Sequence, residues 1–142
     1  MIEERVYRAG EGRLQVKMLV TITSDGLVAQ VYGGDKTHIG AVAISNPRPG
    51  LADPGKISCS TIVVPLMGHK DDEIAKPVAE VIAKTWDRPV LVVVGIHVEK
   101  ASKREIDILI NNCKEAAAEL TNDLRLLKKI KIKQEGDQAC PI

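Results

Sequence analysis

Apolar and polar residues alternate along the first half of the chain with the period of β-strands. Leu14, Val16, Met18, Val20 and Ile22 fall on one side, separated by Gln15, Lys17, Leu19 and Thr21, so a strand with one buried face is predicted. Ser24-Asp25-Gly26 supplies a turn, and the return from Leu27 to Tyr32 completes a hairpin. Gly33-Gly34-Asp35-Lys36 breaks the pattern. A third strand, rich in small residues, is predicted from Ile39 to Ser45, and a fourth from Ile57 to Pro65. Between those two, the run Asn46 to Gly55 carries three prolines and two glycines. It reads as a loop, because such a run suits neither a helix nor a central strand.

The second half has a different period. Asp71-Asp72-Glu73 put negative charge where a helix N-terminus favours it. Ile74, Val78, Val81, Ile82 and Trp86 then recur at helical spacing, with Pro77 implying a late start or a kink. Pro89 to Val98 is nearly all apolar and is predicted to be a central strand covered on both faces. Ser102 and Glu105 form the sequence pattern of a capping box. The stripe Ile106, Leu109, Ile110, Cys113, Ala117, Leu120, Leu124 and Leu127 continues as a long helix. The expected fold class is therefore α+β: a mainly antiparallel or mixed sheet from the strand-rich N-terminal half, with two helices, about 70–87 and 102–128, packed on it. One domain is expected over 1–142, with 1–12 and 134–142 as peripheral tails. A doubly wound nucleotide-binding fold fits badly, since neither G-x-G-x-x-G nor a P-loop occurs at a strand–helix junction.

Composition narrows the function classes. Phe is absent, and Trp86, Tyr7 and Tyr32 are the only aromatic residues of those types, so aliphatic side chains must fill the core. Few aromatics and a formal net charge of +1 give no footprint for nucleic acid or a charged membrane. The run Lys128-Lys129-Ile130-Lys131-Ile132-Lys133 is the local exception, read as a solvated helix end or edge strand. Cys59, Cys113 and Cys140 have neither metal-type nor C-x-x-C spacing, which suits a reducing compartment. The N-terminus has no signal-peptide pattern, and no apolar run is long enough to cross a bilayer. A soluble, cytoplasmic protein is expected.

The candidate chemistry lies with three histidines, His38, His69 and His97, each within two residues of a glycine and each at an element end. Gly68-His69-Lys70 at a helix start is the clearest anion site, where free N–H groups favour phosphate or carboxylate. Lys70 could add a point charge, and Arg48 from the proline-rich run a bidentate fork. The plain alternative is that Asp71 caps the helix and Lys70 is solvated. A tris-histidine metal site lacks the usual close pair of ligands, although His97 and Glu99 would share a strand face. Ser58 and Ser60 flank Cys59 without a nucleophile-elbow motif.

Three segments in order, Gly33-Gly34-Asp35-Lys36-Thr37-His38-Ile39-Gly40-Ala41-Val42-Ala43, Gly68-His69-Lys70-Asp71-Asp72-Glu73, and Gly95-Ile96-His97-Val98 with Ser102 to Ile106, resemble the prenylated-flavin chaperone family of the LpdD type. The resemblance covers about Leu14 to Leu120 and implies a small α+β domain related to proteasome-assembly-chaperone-like folds. It also implies a non-enzymatic accessory role beside a UbiD-type decarboxylase, transient handling of prenylated flavin mononucleotide, and self-association. Carried onto this chain, the cofactor-binding residues are His38, Gly40, His69, Lys70 and His97, flanked by Gly33, Gly34 and Arg48, with no catalytic residue and no metal. Two other readings stay open. One is a small enzyme or metal-binding protein using His38, His69 and His97; the other is a homo-oligomeric interaction module without a ligand site.

Overall fold

The computed structural model describes residues 2–66, 71–123 and 125–129. Six strands form one mixed sheet: β1 (Glu3–Ala9), β2 (Val16–Ile22), β3 (Leu27–Gly34), β4 (Ala41–Pro49), β5 (Ile57–Pro65) and β6 (Val90–His97). Two helices, α1 (Asp72–Trp86) and α2 (Lys103–Thr121), join them, so the fold is α+β, as the two periodicities predict. The strand order is β1-β2-β3-β6-β4-β5. All neighbours are antiparallel except β3 and β6, which are parallel.

One consequence of this order governs the site. β3 and β4 are consecutive in sequence, yet β6 lies between them. The short connection from β3 to β4 must therefore pass over the C-terminal end of β6.

Both helices cover the same face of the sheet. Val16, Met18 and Val20 of β2, Ala29 and Val31 of β3, Ala41 and Ala43 of β4, and Val92 and Val94 of β6 all point to that face and are buried. Ala75, Val78, Ala79, Ile82, Ala83 and Trp86 of α1 close over them, with Leu109, Cys113, Ala116, Ala117 and Leu120 of α2. Small residues on β4 and α1 let the helix lie close to the strand, the geometry that an aromatic-poor core allows. Val81, expected on the apolar face of α1, instead lies largely exposed. Ser102 caps α2 with the reciprocal capping box that its sequence predicts.

The structure corrects several expectations. The segment read as an N-terminal tail is β1, an edge strand paired with β2 along its length. Residues 46–49, read as loop, complete β4 against β5. Pairing of β4 with β6 ends at Ser45, so Pro47 and Pro49 lie where the ladder has only one neighbour and tolerate a missing N–H. β6 is central, but only one of its faces is covered; Leu91 and Val93 on the other are half-exposed. α1 carries Pro77 in its second turn, with the proline ring exposed. The second helix stops at Thr121, not near 128. Asp123 then caps a separate helical turn at 125–129, its carboxylate accepting from Leu126 N–H. Among the described residues, no helix is long and apolar enough to cross a membrane.

Tyr7 ties the edge strand to that turn by donating its hydroxyl to Asp123 Oδ2 at 2.8 Å. Burial, then this bond, pushes the phenol above its ordinary value, and the same bond holds the Asp123 carboxyl below its own. A lowered carboxyl stabilises the fold above its unfolded pKa, and that support is lost as pH falls through the lowered value. A raised phenol stabilises the fold below its unfolded pKa, and that support is lost as pH rises through the raised value. Tyr7→Phe is therefore expected to cost about 1 kcal/mol at neutral pH, the low end for a bond to a half-exposed carboxylate. The gap between Tyr7→Phe and the parent should begin to narrow as pH falls below about 4 and again as it rises above about 10, and continue to narrow toward the shifted values. Urea midpoints measured across that range check it.

Candidate functional site

The connection from β3 to β4 is built on glycine. Gly34 takes a left-handed φ of 81° beside His97, and a Cβ there would stand 2.2 Å from the His97 carbonyl oxygen. Asp35 and Lys36 both donate their N–H to that carbonyl, at 2.8 and 3.3 Å. The chain then crosses β6 at Gly95, where a Cβ would lie 1.4 Å from the His38 carbonyl oxygen. Gly95 is thus required by a crossing of backbones and not by a turn. The crossing sets His38 and His97 side by side, with ring centroids 6.3 Å apart and planes at 75°.

Beneath them lies Asp71, at the start of α1 and 5 % exposed. Its Oδ2 accepts from His38 Nε2 at 3.1 Å, and its Oδ1 accepts from Ile96 N–H at 3.1 Å. β4 pairs with β6 only as far as Val94, so the carboxylate serves Ile96 where the next strand has run out. Gly40 makes room for it, since a Cβ there would stand 1.8 Å from Oδ2. The simple capping role considered for Asp71 is therefore corrected. It is the N-cap by position, but its side chain makes no capping bond and reaches across to β6 and His38. Its charge also acts on Cys113 of α2, whose thiol is pushed up to about 12, mainly by burial and further by Asp71.

A second couple lies further out, where His97 Nε2 donates to Glu99 Oε1 at 3.2 Å. The surrounding loops are clamped together. Glu99 N–H donates to Asp35 Oδ2 at 3.0 Å, while Arg13 reaches the Glu99 carbonyl, Asp35 and Glu105.

Beside the histidines, between the start of α1, the end of β6 and the start of α2, is a cavity of about 200 Å³. Ile74, Ile96, Val98, Ile106 and Ile110 are among its apolar lining residues; Asp71, Glu73 and His97 are the polar ones. One imidazole, His97, lines this largely aliphatic cavity, and the carboxylate of Asp71 that His38 bonds to lines it too. Such an arrangement can seat a small apolar group while offering hydrogen bonds and proton exchange at its edge.

The structure thus brings together Gly33, Gly34, His38, Gly40 and His97. Gly33 pairs with Ile96 in the register of β3 and β6. Arg48 is placed elsewhere, near the far end of β4, roughly 20 Å from Ala41 at the usual rise per residue. There its guanidinium donates to Ser60 Oγ and the Pro49 carbonyl. His69 and Lys70 lie outside the described residues, as does Gly68. Among the described residues, no group of three or more His, Cys, Asp or Glu is placed to hold a metal ion. The sequence reading missed Gly95 as a crossing point, Asp71 as the shared acceptor and the cavity itself. The only available signal was the proximity of Asp71 and Gly95 to histidines.

Two substitutions test this geometry. Gly95→Ala should cost about 3 kcal/mol, because backbone cannot yield as a flexible side chain can. Asp71→Asn keeps an acceptor for Ile96 but turns an amide donor toward His38, and should cost about 2 kcal/mol. Urea unfolding gives both values, and the imidazole ¹⁵N signals should change for His38 in each variant.

Comparisons with known proteins agree with this architecture. No curated protein matches the chain in sequence. Among solved structures, one chain from a crystal structure of a novel chaperone complex for yeast 20S proteasome assembly aligns with a TM-score of 0.54 at 16 % identity. The alignment covers 91 % of this chain and 97 % of that one, a likeness of fold. The family model described as the prenylated flavin chaperone LpdD-like domain matches residues 10–125, a span that contains the glycine crossing, both described histidines and the cavity. The chain belongs to the prenylated flavin chaperone LpdD-like domain family.

Proposed function

We propose that this protein is a non-enzymatic cytoplasmic accessory factor that transiently holds prenylated flavin mononucleotide and passes it to a UbiD-type decarboxylase. The observation that carries this reading is the coincidence of the family match with the cavity between the start of α1, the end of β6 and the start of α2. In this reading Gly33, Gly34, His38, Gly40 and His97 shape the cofactor site, and His69 and Lys70 supply the contacts to the phosphate. Arg48 takes no part, given its place on β4. A carrier needs a site that binds and releases without chemistry, and an aliphatic cavity with the hydrogen-bonded His97 imidazole at its edge suits that task.

Binding is tested by titrating the protein with prenylated flavin mononucleotide and with plain flavin mononucleotide, followed by absorbance and calorimetry. The prenylated form should bind more tightly, and a His38→Ala, His97→Ala double variant that remains folded should bind at least ten times more weakly. The parent should also speed activation of a cofactor-free decarboxylase. No binding at submillimolar ligand together with no effect on the decarboxylase overturns the proposal.

A second reading, self-association, is favoured by the uncovered face of the sheet. Val28, Leu91, Ile44 and Ile62 follow one another across β3, β6, β4 and β5 in register, and Val93, Val42 and Val64 form the adjoining row. Ile62 is 68 % exposed and Val64 55 %. An apolar patch of this continuity is the usual mark of a protein interface, and a second copy of the chain would bury the same face of its own sheet against it. The parent should run as a dimer in light scattering, and Ile44→Glu with Ile62→Glu should give a folded monomer. A parent that is monomeric at high micromolar concentration rules this reading out.

A further inference from the structure

The two edges of the sheet are built differently. β1 carries Glu3, Glu4, Arg5 and Arg8, and the turn at 125–129 is held beside it by the Tyr7–Asp123 and Lys129–Glu3 bonds. Charge of that kind keeps an edge from pairing with other chains. β5 forms the opposite edge, and among the described residues no strand lies beyond it. From Ile57 to Pro65 it has no charged side chain, and Thr61, Ile62, Val63 and Val64 make a β-branched run. Leu66 donates its N–H to the Gly40 carbonyl at 2.9 Å. The alternation of an antiparallel strand then turns the main-chain groups of Val64, Ile62, Ser60 and Ser58 toward β4. Those of Ile57, Cys59, Thr61 and Val63 face outward, a row of donors and acceptors with no proline among them.

Charge near the middle of this row decides what can pair with it. Arg48 reaches across from β4 on the open face, its Nε donating to Ser60 Oγ at 2.8 Å. A second copy that paired its β5 antiparallel to this one, about Ser60 or about Thr61, would bring two Arg48 guanidinia together, and like charges across strands oppose pairing. An incoming strand with a carboxylate at that place pairs with Arg48 instead. Further along the same face, the exposed Ile62 and Val64 call for aliphatic partners. On the helix side, Thr61 donates its hydroxyl to Glu80 Oε1 at 3.0 Å, and Lys76 and Lys84 stand one turn of α1 to either side of Glu80. That side carries both signs of charge and calls for small uncharged residues.

We infer that β5 is a docking strand for an extended segment of another protein, which adds antiparallel to the sheet and reads aliphatic–x–aliphatic–x–acidic from its N-terminus. The two aliphatic residues lie opposite Val64 and Ile62, and the acid lies opposite Ser60, beside Arg48. Main-chain bonds to Ile57, Cys59, Thr61 and Val63 supply the affinity, and the side chains on the open face select the partner. A copy packed on the open face stacks on side chains and leaves these main-chain groups free, so the two surfaces are compatible. The inference does not depend on what the cavity holds.

The test uses the full-length protein and the peptide acetyl-Ser-Val-Thr-Ile-Thr-Glu-Thr-Ser-amide, followed by amide hydrogen exchange and ¹⁵N–¹H spectra. In the free protein the amides of Ile57, Cys59, Thr61 and Val63 should exchange faster than those of Ser58, Ser60, Ile62 and Val64. Saturating peptide should slow the first four at least tenfold and affect the other four far less. A peptide with lysine in place of the glutamate should bind at least fivefold more weakly, and Arg48→Glu should reverse that preference. Cys59→Pro removes one outward donor, spares the ladder with β4, and should prevent binding. A peptide N-methylated at the threonine opposite Thr61 makes the same test without altering the protein, and it should not bind.

The inference is overturned if the outward amides do not slow, if the glutamate and lysine peptides bind equally, or if the N-methylated peptide binds as well as its parent. Outward amides already protected in the free protein, and more so as its concentration rises, also overturn it, because β5 then pairs with a second copy. Peptide-induced shifts confined to Val28, Ile44 and Leu91, with no slowing of the outward amides, put the peptide on the open face and overturn it too.

Discussion

The carboxylate of Asp71 joins three pieces of chain that are remote in sequence: the start of α1, the end of β6 through Ile96 N–H, and the β3–β4 connection through His38. It is buried, and a buried carboxylate is tolerated only where donors surround it. The His38 donor is in place because the β3–β4 connection crosses β6, and the Ile96 donor because β4 pairs with β6 only as far as Val94. That crossing in turn needs Gly95, where any side chain would meet the His38 carbonyl, and Gly40, where it would meet the carboxylate itself. The strand order, the two glycines and the acid therefore form one constraint, and the cavity is the space left beside it.

That constraint explains why the candidate site sits at an edge of the fold and not within the hydrophobic core. The core on the helix side is closely filled by valine, alanine and leucine. At the C-terminal end of β6 the sheet is interrupted: β4 begins only at Ala41, and β3 ends in Gly34 with a positive φ. Loops and helix ends converge there and are held by the Arg13–Asp35–Glu99 contacts. Open strand ends next to a helix start are a common place for α/β proteins to bind small molecules. Here the same logic operates in a mixed sheet with helices on one face.

The two faces of the sheet differ in their covering. One is sealed by α1 and α2 and accounts for stability. The other is left with a continuous apolar surface that a stable monomer would not need. A carrier must both hold its cargo and meet the protein that receives it, and in the proposed function these two demands fall on separate parts of the molecule. In that reading the cavity beside His97 would hold the ligand and the open face would serve association.

Local periodicity was enough to place most elements. The hairpin of β2 and β3, the strand β5, the capping box of α2 and the apolar run of β6 are each written in neighbouring residues, because alternation and helical spacing depend on nothing more distant. The glycine-flanked histidines were visible too, but not the reason for their glycines. Residues 46–49 were obscure because proline is acceptable in a strand that lacks a second neighbour, a fact decided by where β6 stops. β1 was obscure because an edge strand rich in charge has a weak pattern of its own. Above all, the insertion of β6 between β3 and β4 is a matter of long-range pairing. Only that pairing turned Asp71 from a helix cap into the anchor of His38, and only that pairing set His38 beside His97, since no local spacing encodes which strand fills the gap between two others.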